Sequence, residues 1–178
     1  MHDETETERA AEAVQVGVVK RALDHVARAA IAVSATALLG LVVVQGWQVF
    51  TRYVLNDSPS WTEPVTLLLL STAMSLGAAA GVHENRHFGF FLLAQSLPTW
   101  ARRTTEAVSA ATILALGVVL AYWSALLLLD GWDIKIAGAS LPQSINYLPL
   151  CVGAFLVALF ALYRLGLALR PAPASKEA

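Results

Sequence analysis

Four long apolar runs decide most of what this chain can become. They extend from about Ile31 to Phe50, Val65 to Val82, Ala107 to Leu129 and Tyr147 to Leu169. A hydrocarbon core of about 30 Å is crossed by roughly 20 helical residues. Backbone N–H and C=O groups meet no water there, so each run has to satisfy its own as a helix. The alternating segments of a membrane barrel are absent. Composition agrees: 57% of residues are hydrophobic and 14% charged, and the mean hydropathy is +0.60. A soluble domain is about a quarter charged. The expectation is an all-α integral membrane protein with four transmembrane helices.

The polar residues between the runs orient them. Arg9, Lys20, Arg21 and Arg28 precede the first run, Arg86, Arg102 and Arg103 lie in the second connection, and Arg164, Arg170 and Lys176 are near the C-terminus. The first connection holds only Arg52 and the third only Lys135. Basic residues accumulate on the cytoplasmic side, so both termini are expected inside. Trp47, Trp61, Trp100 and Trp132 near the run ends fit an interfacial aromatic belt. The start of the chain is acidic, with Asp3, Glu4, Glu6 and Glu8, unlike a basic secretory signal. Residues 1–12 and 171–178 read as flexible tails around a single membrane domain, 13–170.

One or two further helices are expected to lie in the inner interface. Val14, Val18, Val19, Ala22, Leu23 and Val26 form a stripe opposite Lys20, Arg21 and Arg28. Phe88 to Leu97, ended by Pro98, is the second such segment. The alternative for each is a helix extension packed on the bundle.

Chemistry-bearing residues are few. A net charge of −1 argues against a nucleic-acid partner. The lone Cys151 excludes an internal disulfide. The sharpest pattern is His83-Glu84-Asn85-Arg86-His87, an H-E-x-x-H that on a helix would hold zinc, with Glu84 as general base. Leu129-Asp130-Gly131 resembles the third-ligand element of intramembrane zinc proteases. Topology separates the two, because a run of this length spans roughly 35 Å and zinc bonds are near 2 Å. Glu106 is on the same side as the histidines. No histidine lies within a run, which disfavours a haem held between helices. Catalytic, cofactor-binding and metal residues are therefore expected to be absent.

Partner contacts are the better candidates. Gln45, Gln48 and Arg52 recur at spacings of three and four on one helical face. Polar groups this deep usually face protein. Trp61 and Glu63 open the second run, and Glu63 is placed to pair with Arg52. Gly77 and Gly81 form a G-x-x-x-G that admits a close helix neighbour.

Trp47-Gln48-Val49-Phe50-Thr51-Arg52-Tyr53-Val54-Leu55-Asn56, then Ser60-Trp61-Thr62-Glu63, resembles the first connection of the small membrane (DctQ-like) subunit of tripartite ATP-independent periplasmic (TRAP) transporters. That family shows F-x-R-Y-V-x-N and then S-W-x-E-E. Gly77-Ala78-Ala79 through His83 to Gly89, and Ala139-Ser140-Leu141-Pro142 to Tyr147-Leu148-Pro149-Leu150-Cys151-Val152-Gly153, resemble its later motifs in the same order. Pro64 stands in place of the second acid, and His83 where arginine is common. The resemblance implies a non-enzymatic scaffold in the bacterial inner membrane. It would brace a large multi-span permease subunit during sodium-coupled uptake of an organic acid delivered by a periplasmic binding protein. Two other readings stay open: an intramembrane zinc metalloprotease using His83, Glu84 and His87, and a self-assembling four-helix membrane protein.

Overall fold

A computed structural model describes residues 2–57, 59–84, 99–136 and 142–169. It contains four long helices, α1 (His2–Val54), α2 (Thr62–His83), α3 (Thr99–Asp130) and α4 (Leu148–Leu169), with a 3-10 turn at Gln143–Asn146 leading into α4. All four are long and apolar enough to cross a membrane. Among the described residues there is no strand, only an isolated bridge between Lys135 and Pro142.

The helices pack as a row. α1 lies along α2, α2 on α4, and α4 on α3. Among the described residues α1 and α3 do not pack extensively on one another, so the row stays open rather than closing into a ring. The joint between α1 and α2 follows a strict rhythm. Leu23, Ala27, Ala30, Ser34, Ala37, Leu41, Val44, Gln48 and Thr51 are buried or half-buried, at alternating steps of four and three. That spacing keeps one seam facing a neighbour along a gently supercoiled pair. Small residues dominate it, so the backbones approach closely. Ser34 uses the proximity to donate its hydroxyl hydrogen to the Ala73 carbonyl at 2.7 Å.

The tightest approach joins α2 to α4. A Cβ placed on Gly153 would stand 2.5 Å from the Ser75 Cβ and 2.8 Å from its carbonyl carbon. Ser75 also donates to the Pro149 carbonyl at 2.8 Å. Gly117 plays the same part between α3 and α4, where a Cβ would meet the Ala158 backbone nitrogen at 2.9 Å. Gly77 is less confined, with only the Ser34 hydroxyl at 3.1 Å, and Gly81 has open space around it.

Helix ends near lipid leave carbonyls without intrahelical partners, and neighbouring elements supply donors. Ser144, fully buried, donates to the Leu128 carbonyl near the end of α3 at 2.7 Å. Arg164 donates from Nη1 to the Val82 carbonyl in the last turn of α2 at 3.1 Å. Arg164 is therefore turned onto α2 by at least one of its nitrogens. At the close of α1, Asn56 adopts φ 50°. Asparagine is among the few residues that take the left-handed region readily, and it ends the helix after Val54.

The first amphipathic segment is not a separate helix. It belongs to α1, which runs unbroken for 53 residues, and its Leu23 and Ala27 join Ala79, Val82, Phe160 and Ala161 in the core. The second, Phe88 to Leu97, lies outside the described residues. α3 starts earlier than its apolar run because a polar first stretch remains helical, with Arg102 and Glu106 paired at 3.4 Å one turn apart.

Candidate functional site

The seven residues singled out as partner contacts fall into two groups. Gln45, Gln48 and Arg52 occupy the last turns of α1, and Trp61 and Glu63 stand at the start of α2. Gly77 and Gly81 lie further along α2, about 21 and about 27 Å from Glu63 at 1.5 Å per residue.

Within the first group the α1–α2 seam divides the side chains. Thr51 is 3% exposed, and its hydroxyl bonds the Trp47 and Gln48 carbonyls at 3.0 and 3.1 Å. Gln48 is half-buried on the same seam. Gln45 and Arg52 lie beside the seam and are exposed, as are Trp61 and Glu63. Arg52 and Glu63 form no ion pair with each other among the described residues, contrary to the pairing expected from sequence. Both charges stay open to an external partner. Pro64 fits where the family pattern has an acid: it is buried in the first turn of α2, where a backbone N–H would have no intrahelical acceptor.

Gly77 faces Ser34 on α1, which places it against this chain's own first helix. Of the two glycines, only Gly81 would take a Cβ with nothing within 4 Å.

Of the zinc pattern, His83 is the last residue of α2 and Glu84 its C-cap. His87 lies outside the described residues. His83 has its Nε2 2.7 Å from Asp24 Oδ1 on α1, with its ring 4.8 Å from that of Phe160 on α4. Asp130 is exposed at the opposite end of the row, near the 3-10 turn that precedes α4. From Leu148 to Phe160, α4 alone covers about 18 Å. Among the described residues no three of His, Cys, Asp and Glu gather closely enough to hold a metal ion.

The ties of Asp24 to His83 and of Arg164 to Val82 were not expected from sequence. One signal was available: Asp24 is the sole acid between Gly17 and Ile31. A lone carboxylate in such a segment invites a search for its partner.

An open row of four helices long and apolar enough to cross a membrane, with exposed polar groups at one end, defines a multi-pass membrane protein. Matched against models of known families, residues 41–170 fit the DctQ component of tripartite ATP-independent periplasmic transporters, and the chain belongs to that family. Its members are transport components, not enzymes. Among curated proteins it is similar to the sialic acid TRAP transporter small permease protein SiaQ of Vibrio cholerae serotype O1, with 27% identity over 84 residues. That segment is 47% of this chain and 49% of SiaQ, so the match spans about half the length of the relative.

Proposed function

We propose that this chain is the small permease subunit of a TRAP-type transporter in the bacterial inner membrane, with both termini cytoplasmic. It braces a large multi-span permease subunit. That subunit carries out sodium-coupled uptake of an organic acid brought by a periplasmic binding protein. The observation that carries the reading is the open row. A layer one helix thick, with no broken helix or charge at mid-depth of its spans, has the form of a wall and not of a path. Substrate sites in secondary transporters sit at mid-membrane between repeats with interrupted helices, and α1, α2 and α4 run through their apolar stretches without interruption.

The polar group supports a docked neighbour. An amide left in hydrocarbon without a partner costs on the order of 1–3 kcal/mol, and Gln45 is exposed within the expected first span. A helix from a large subunit laid beside Gln45 and Arg52 would relieve that cost. Gly81 is a second, smaller point of approach, and Trp61 and Glu63 remain for the loop end of the complex.

The test is purification of the tagged chain from native membranes. A large polytopic partner should come with it, and Gln45→Leu combined with Arg52→Leu should lower the yield of that partner several-fold. Homo-oligomers alone would favour the self-assembling alternative. Full recovery with the double variant would remove this edge of α1 from the interface.

A further inference from the structure

Residues 17–31 of α1 carry three stripes, where a helix packed on one neighbour needs two. Leu23, Ala27 and Ala30 form the buried seam. Val18, Val19 and Val26 make a second stripe, apolar yet 59%, 44% and 39% exposed. Lys20, Arg21 and Arg28 make a third, and all are exposed. At about 3.6 residues per turn the valines and the basic residues fall on opposite sides of the seam.

The acid in this stretch stands four residues from both Lys20 and Arg28, close enough to feel their charge, but its short contact is elsewhere. Asp24 directs Oδ1 to His83 Nε2 across the joint with α2. Among the described residues Arg28 bonds a backbone carbonyl, that of Asp24, through Nε at 3.3 Å. Lys20, Arg21 and Arg28 form no ion pair among the described residues. Internal packing thus accounts for the seam and for Asp24. It leaves an uncovered apolar stripe and three outward cations just before the first span.

The geometry points to residues 17–31 as a binding surface for anionic phospholipid where α1 leaves its span, with Lys20, Arg21 and Arg28 on the phosphates and Val26, nearest the span, at the acyl boundary. Long basic side chains beside a span reach headgroups while their apolar neighbours face lipid. Charge complementarity selects the anionic headgroups of the cytoplasmic leaflet. The inference rests on the cytoplasmic placement of this flank, and it needs no large subunit.

The experiment titrates the purified full-length chain in mild detergent with phosphatidylglycerol or phosphatidylcholine and counts bound lipid by native mass spectrometry. Phosphatidylglycerol should bind more tightly, and added salt should weaken it. Replacing all three cations (K20Q, R21Q and R28Q) should weaken phosphatidylglycerol binding by roughly a hundredfold, about fivefold per charge, and leave phosphatidylcholine unchanged. A second measurement keeps every other native side chain but two: a fluorophore on Val26→Cys, in a Cys151→Ser background, read in nanodiscs against a water-soluble quencher. Shielding in phosphatidylglycerol nanodiscs of the chain alone supports the surface. Equal affinity for the two lipids overturns it. So does quenching that disappears only when the large subunit is added, which assigns the stripe to protein. Recovery of the large subunit from native membranes is scored separately, so either reading can fail alone.

Discussion

At the scale of single residues, positions that look alike in the sequence differ sharply in the fold. Gly77 and Gly81 stand out as a spaced pair, yet the tight contact is at Gly153, whose missing Cβ lets Ser75 of α2 approach. Gly153→Ala should cost about 1–3 kcal/mol, the usual range for overpacking, seen as a lower melting temperature in detergent. Gly81→Ala meets open space and should be neutral or stabilising by up to about 1 kcal/mol, since alanine is the better helix former. A similar drop for both would contradict the packing described. The motif residues divide in the same way. Asn56 is a helix terminator, Thr51 an internal bond, and Arg52 an outward charge. Sequence places all three in one block and cannot separate them, because membership of a motif does not record which way a side chain points.

At the scale of elements, the four spans were legible and the joints between them were not. Apolar continuity marks a span whatever its neighbours. The seam of α1 is invisible to the same reading because lipid and a neighbouring helix are equally apolar. Ala27, Ala30 and Ala37 on the seam look no different from Ala29, Ala32 and Ala35, which are exposed. What distinguishes them is the four-three rhythm, which small residues hide. The seam predicts an asymmetry between neighbours. Ala37→Leu should push α1 from α2 and lower the melting temperature. Leu39→Ala, at a side chain 70% exposed, should leave it nearly unchanged. Circular dichroism during heating checks both. The length of α1 was missed for a related reason: a charged stretch reads as the end of a span, whereas a helix continues through it as long as one stripe is packed.

At the scale of the whole molecule, the proposed orientation follows from where the basic residues lie, and it can be read chemically. With Cys151 changed to Ser, Asp57→Cys should react with a membrane-impermeant maleimide added to spheroplasts. Arg103→Cys should react only after permeabilisation. The reverse pattern would invert the chain and with it the side on which a binding protein can meet Glu63. Of the candidate contact residues, the fold puts Gln48 on the seam and Gly77 against α1, which the sequence did not indicate. Burial depends on the partner helix, and no single-chain pattern names that partner.

The open row has a consequence for how the cell handles this protein. Among the described residues each long helix packs extensively on at most two others, and the outermost on one. Such a layer has little interior to resist extraction of an edge helix. Under the proposed role, a copy made without the large subunit is predicted to be removed faster by membrane proteases, which a pulse-chase in cells lacking that subunit would check. Abundance of the chain would follow the supply of its partner, giving the two a fixed ratio without any shared control of their synthesis.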